Sequence, residues 1–340
     1  MIPYPLLRNW TPYFAAGRWP MPEDLEFLYS LAVMYYTDGL NQQEISDQLG
    51  ISRPQISRAL TKAQHEGIVR IELVPPESGL RQLESRLAEA LSIDRVFVAP
   101  RLVKTGTPRE RRNQDIALCA ARILPGLFDG KSVVGIGWGD TVYRTALALD
   151  HAVEQAKTCF VPLIGSLGMR EPRFQVNSIV DRIAEKMKSE GLYFNGLAFA
   201  PDAQARDNAL LQKPFTSILA TWSRLDLAVI GLGVSVEHQG FPSGEFRPES
   251  IENLRKAGAV GDILGQFFNA EGELCESGNE KEYLGINIME LKKVSQVVCL
   301  CGGTPKIPGI IAAARQSFYS MLVTDVQTAN ELAKTLEGGK

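Results

Sequence analysis

The chain has 340 residues, 45% of them hydrophobic and 22% charged, with a net charge of −3. That is enough apolar material for about two domains with buried cores, and too acidic for a protein whose whole surface serves nucleic acid. Five scattered cysteines (Cys119, Cys159, Cys275, Cys299, Cys301) exclude a disulfide framework and suit reduced thiols in a cytoplasmic protein.

Residues 1–22 are rich in Pro and aromatics (Tyr4, Trp10, Tyr13, Phe14, Trp19) and carry no helical or strand period. They read as a non-helical arm, either a partly ordered tail or a segment that docks on a partner subunit. They also lack the charged-then-apolar order of a secretory leader, and no apolar run in the chain reaches the ~20 residues of a membrane helix. Glu23–Tyr36 has apolar residues at helical spacing, and Asp38-Gly39 ends it. Asn41 with Glu44 forms the sequence pattern of a capping box, and Ile45 and Leu49 face inward. A turn at Leu49-Gly50-Ile51 leads to a second helix capped by Ser52, with Pro54 in its first turn and Ile56 and Leu60 as anchors. Gly67 stops that helix. Ile68–Val74 alternates as a β-wing, which completes a winged helix-turn-helix over residues 23–75.

After Pro75-Pro76, Leu80, Leu83, Leu87 and Leu91 mark a helix over residues 76–92. Its leucines make either a short coiled-coil seam between subunits or a helix lying on its own domain. Residues 93–337 then alternate strand-like and helical runs. Expected strands are Val96–Ala99, Ser132–Ile136, Thr158–Pro162, Leu192–Asn195, Leu227–Gly231, Val297–Leu300 and Ser320–Val323. Expected helices include Arg111–Leu124, Thr141–Leu149, Val176–Ser189, Ile307–Gln316 and Val326–Lys334. Such alternation implies an α/β domain with a largely parallel sheet.

The module Glu23–Pro75 holds eight acids against four Lys and Arg. Its second motif helix departs from that balance, carrying Arg53, Gln55, Ser57, Arg58 and Lys62 with no acid. Arg at the N-terminal end of such a helix can reach guanine O6 and N7, Gln55 can pair with adenine, and Lys62 suits phosphates. Gln43 and Ser52 complete the expected DNA-facing set. One recognition helix makes too few contacts for genomic specificity, so a homo-oligomer is expected on double-stranded DNA.

Three Gly-rich turns each follow an expected strand: Gly135-Ile136-Gly137-Trp138-Gly139-Asp140-Thr141, Gly231-Leu232-Gly233 and Cys301-Gly302-Gly303-Thr304-Pro305-Lys306. Backbone N–H groups at a helix start bind anions, Gly admits a phosphate, and Lys306 supplies a point charge. Together, at the C-terminal ends of strands in one sheet, they point to a small anionic ligand. Neither a Walker loop nor a dinucleotide fingerprint occurs, no His/Cys/Asp spacing supports a metal, and no cofactor is implied.

The chain resembles the SorC family of bacterial sugar-responsive transcriptional regulators over roughly residues 24–334. The segments that carry this are NQQEISDQLGISRPQISRAL with GIVRIEL, VGIGWGDT, LIGSLGMR, QVNSIVDRIAEKM, LDLAVIGLG, GAVGDILGQFFNAEGE, LGINIMELKKV and CGGTPKIPGIIAAARQSFYSMLVTDVQTANEL. The resemblance implies a dimer or tetramer on an operator near a carbohydrate operon. A phosphorylated sugar or polyol would tune its DNA affinity. It also implies a C-terminal domain shared in fold with sugar-phosphate isomerases and deaminases. By matching segments, the phosphate sits on Gly137, Gly139, Asp140 and Thr141 with Lys306 as its cation. Arg170, Gln175 and Asn177 reach the ligand, Asp262 accepts sugar hydroxyls, and Trp138 either walls the pocket or belongs to the core. Gly231 and Gly233 belong to the same pocket. Relatives usually carry Asp where this chain has Asn269.

The rival reading is a sugar-phosphate isomerase or deaminase with a DNA-binding module. Such chemistry needs a positioned acid and base. His238 lies near the Gly231 turn, but the Asp-Gly-His order of the deaminases is absent. No catalytic residue is assigned.

Overall fold

The computed structural model describes residues 25–69, 78–152, 157–167, 171, 175–239, 241 and 246–338. The chain divides at Pro75–Pro76 into two compact units. The arm at 1–22, most of the expected wing and Arg170 lie outside the described residues.

In the first unit, α1 (Leu25–Ala32) runs into a π turn (Val33–Thr37) and is followed by α2 (Gln42–Leu49) and α3 (Arg53–His65). Asn41 Oδ1 accepts from the N–H of Gln43 at 2.9 Å and of Glu44 at 3.0 Å, while Glu44 Oε2 accepts from Asn41 N–H at 2.8 Å. This closes the capping box and satisfies donors that the helix itself cannot. Gly50 adopts φ 68°, the left-handed conformation that ends α2 and that a side chain would strain. Ile45, Leu49, Ile51, Ile56 and Leu60 then meet Phe27, Leu31 and Met34 in one core, and Ala63 packs with Leu28 beside it.

The second unit opens with α4 (Ser78–Leu91) and β1 (Arg95–Ala99), then α5 (Pro108–Phe128), β2 (Val133–Ile136), α6 (Asp140–Ala148), β3 (Cys159–Pro162), α7 (Val176–Lys186) and β4 (Glu190–Gly191). It continues through α8 (Ala203–Leu210), α9 (Lys213–Trp222), β5 (Leu227–Gly231), α10 (Pro248–Lys256), β6 (Gly261–Ile263), β7 (Gln266–Phe268) and β8 (Leu274–Cys275). Last come α11 (Ile288–Leu291), β9 (Gln296–Leu300), α12 (Ile307–Arg315), β10 (Met321–Asp325) and α13 (Val326–Gly338). Seven strands form one sheet in the order β1-β10-β9-β5-β2-β3-β4, and every pairing in it is parallel. One face buries α4, α12 and α13 through Leu87, Leu91, Ile310, Ala313, Ala329 and Leu332. The other buries α5, α6 and α7 through Ile116, Leu124, Val142, Ile179 and Ile183. Burial on both faces explains why these strands read as continuous apolar runs.

Of the two alternatives for the α4 leucines, the structure has the helix lying on its own unit: Leu87 and Leu91 are in the core and Leu80 and Leu83 pack against it. One expectation is corrected. Leu192–Asn195 is not a strand. The Asn177 side chain accepts from Phe194 N–H at 3.0 Å and donates to Phe194 C=O at 2.8 Å, which replaces the ladder there and leaves only Glu190–Gly191 paired. The antiparallel sheet β6-β7-β8 was not anticipated, because its strands are only two or three residues long.

Candidate effector pocket and DNA-reading face

The chain leaves β2 toward β3 on one side and returns in β5 on the other, so the topological switch of the sheet falls at β2. There the connections diverge and open a crevice at the C-terminal strand ends. The three glycine turns follow β2, β5 and β9, which are three adjacent strands. They meet around a cavity of about 150 Å³ lined by Trp138, Gly139, Asp140, Thr141, Gly231, Gly233, Asp262 and Lys306 among others.

Each glycine is there for a physical reason. Gly139 has φ 129° and ψ 161°, a conformation that disfavours side chains, and nothing lies within 4 Å of the position a Cβ would take. It is the N-cap of α6 and no side chain caps it, so the start of α6 opens on the cavity. A Cβ on Gly233 would sit 1.7 Å from Asp262 Oδ1, so this glycine is what lets the carboxylate reach the floor. Gly137 does not line the cavity. Its N–H donates to Val229 C=O at 2.8 Å, and its missing Cβ makes room for Leu264 beneath.

Asp262 is held by Gly265 N–H at 3.0 Å, and burial pushes its pKa from 3.8 up to about 6, against the lowering pull of Gly265 and Lys306. The Lys306 ammonium donates to Leu232 C=O, and burial lowers its pKa while Cys301, Cys299 and Asp262 raise it. Asp140 Oδ2 accepts from Asn113 Nδ2 at 2.7 Å and from Arg144 Nε at 3.1 Å. Its carboxylate is therefore turned to α5 and to its own helix, and its backbone is the part suited to an anion.

Two expected ligand residues lie elsewhere. Gln175 donates to Leu167 C=O at 3.3 Å, and Asn177 clamps the Phe194 backbone; neither lines the cavity. Their resemblance to family ligands came from position in the chain, whereas their side chains here are spent on loop backbone. Asn269 caps its own turn, accepting from Glu271 and Glu273 N–H at 3.1 and 2.9 Å. Trp138 both lines the cavity and packs against the core on both sheet faces. Sequence reasoning missed Arg109, Arg112 and Asn113 at the start of α5, and Gly302 and Gly303 came only as part of a turn. The single legible signal was the RERRNQ run, whose pocket-facing members only the packing of α5 on α6 selects. His238 also lines the cavity.

In the first unit Arg53, Ser57 and Arg58 are exposed on α3, and Lys62 is half-buried. Gln55 Oε1 accepts from Ser52 N–H at 3.2 Å and from Ser52 Oγ at 2.5 Å. Ser52 and Gln55 thus cap α3, while the Arg53 and Arg58 side chains stay exposed. Gln43 bonds to Asp47 at 2.9 Å along α2. Among the described residues no helix is long and apolar enough to cross a membrane.

The Sugar-bind family of sugar-binding domains matches residues 76–334. A sorbitol operon regulator from Klebsiella pneumoniae is 25% identical over 314 residues, covering 92% of this chain and 99% of its own. The erythritol catabolism regulatory protein EryD from Brucella abortus is 28% identical over 302 residues, covering 88% and 94%. The crystal structure of the full-length Klebsiella regulator SorC superposes with a TM-score of 0.78 at 25% identity, over 92% of this chain and 99% of that one. These relatives are named as regulators, not enzymes. The chain belongs to the Sugar-bind family and, within it, to the SorC-type sugar-binding transcriptional regulators.

Proposed function

We propose that this protein regulates transcription of a carbohydrate-metabolism operon under control of a phosphorylated sugar or polyol bound in its second unit. The observation that carries the effector half is convergence. The start of α6, the turns after β5 and β9, and Lys306 surround one cavity at the sheet's switch point. The phosphate takes the Gly139–Thr141 backbone and Lys306, and Asp262 accepts sugar hydroxyls. The DNA half rests on α3, whose Arg53 and Arg58 are exposed in an otherwise acidic module. Two copies present two such helices, and effector binding favours one spacing of them over another.

A thermal-shift screen of sugar and polyol phosphates, each paired with its dephosphorylated form, tests this. A phosphorylated compound should raise Tm and its free counterpart should not. Lys306→Ala should weaken the hit about tenfold or more, as expected for a lost charge-assisted bond. A hit indifferent to both the phosphate and Lys306 removes the phosphate assignment.

A further inference from the structure

The phosphate reading above accounts for Lys306 and the start of α6. It leaves two cations of the cavity wall without work. Arg109 and Arg112 stand one turn apart on α5, so they share a face, and both line the cavity. Neither forms an ion pair among the described residues. Arg112 Nε is buried with no hydrogen-bond partner. Its guanidinium lies on the turn after β9, since a Cβ on Gly303 would stand 3.0 Å from Cζ and Nη2, and one on Gly302 would stand 3.3 Å from Cδ. The acid whose field it feels is Asp325, but that carboxylate starts α13, accepting from the Gln327 and Thr328 N–H groups at 3.1 Å each and from Thr328 Oγ. The two carboxylates on the cavity wall are also engaged: Asp140 by Asn113 and Arg144, Asp262 by Gly265 and beside Lys306.

A half-buried guanidinium without a partner is costly. A binding site can hold such a group because its partner arrives with the ligand. Arg presents a planar fork that matches a carboxylate or a phosphate with two parallel bonds. We propose that the effector carries two anionic groups, a phosphate at the start of α6 and a second phosphate or a carboxylate bound by Arg112 with Arg109. This makes Arg112 the residue that separates a bisphosphate or a phosphorylated sugar acid from a plain sugar phosphate. The proposal rests on the phosphate reading of the same cavity and specifies it further.

The test uses the full chain and a matched set on each four- to six-carbon skeleton: the monophosphate, the bisphosphate and the phosphorylated aldonic acid, with affinity measured by calorimetry. A member with two anionic groups should bind about ten- to a hundredfold more tightly than the monophosphate of the same skeleton, the range for hydrogen bonds to a charged group. The bisphosphate and aldonate arms distinguish the two sources of the second anion. Arg112→Gln should erase that preference, costing the ligand with a second anionic group far more affinity than the monophosphate, and Arg112→Lys should restore part of it. Arg112→Met should leave the ligand-free Tm unchanged or raise it, because a buried unpaired charge has gone; a drop in Tm would assign Arg112 a structural role instead. A monophosphate that binds as tightly as the members with two anionic groups, or a preference that survives Arg112→Gln, overturns this inference and leaves the phosphate reading standing. If no phosphorylated member binds the wild-type chain, both fall.

Discussion

Asp262 is the residue in which sequence pattern, packing and chemistry meet most closely. It is one residue of a three-residue strand, yet it reaches the cavity only because residue 233 has no side chain. Burial raises its pKa from 3.8 to about 6 despite Gly265 and Lys306. A carboxyl favoured in its protonated form contributes stability that is fully present below the unfolded value and is lost as pH rises through about 6. Its capacity to accept hydroxyls as a carboxylate runs the opposite way. Effector affinity should therefore fall as pH drops through about 6, and Asp262→Asn should flatten that dependence. Calorimetry across that range checks it, and the difference between wild type and Asp262→Asn removes the effector phosphate's own ionisation near pH ~6. An unchanged profile in the variant would take Asp262 out of ligand recognition. The GAVGD segment made Asp262 legible in the chain, but Arg112 was not legible, because nothing in RERRNQ says which arginine faces inward.

At the scale of elements, the motif helices were readable because their signals are local. A cap lies three residues from its partner and an anchor lies one turn from the next. The same locality limits the reading: Gln55 also serves the cap of α3 through its Oε1, which its sequence pattern as a base contact did not reveal. Arg53→Ala and Arg58→Ala should each weaken operator binding. A residue on a DNA phosphate lowers the salt slope by about 1, and one on a base relaxes specificity at a single position. Fluorescence anisotropy at several salt concentrations separates these, and the effector-induced Tm shift should persist in both variants. Wild-type operator affinity in either would exclude that arginine from the interface. The leucines of α4 and the run Leu192–Asn195 were ambiguous for a related reason. An apolar stripe says that something covers it, and only the fold says what does. For α4 the cover is its own sheet; at 192–195 the Asn177 side chain displaces the ladder.

For the whole molecule, the division at Pro75–Pro76 assigns the helix-turn-helix to one unit and the cavity to the other. A chain beginning at Pro76 should keep the effector-induced Tm shift of the full protein and lose operator binding. Loss of the shift would mean that the first unit contributes to the effector site. The sequence by itself determined the α/β class, the helix-turn-helix and the glycine turns, because hydrophobic period, caps and glycine conformation act over a few residues. Tertiary structure alone decided the strand order that sets the turns after β2, β5 and β9 side by side. It also selected Arg109 and Arg112 for the wall and turned Gln175 and Asn177 away from it. Those outcomes depend on crossovers between strands far apart in the chain and on helices docked against them, and no local pattern encodes which distant surfaces will meet.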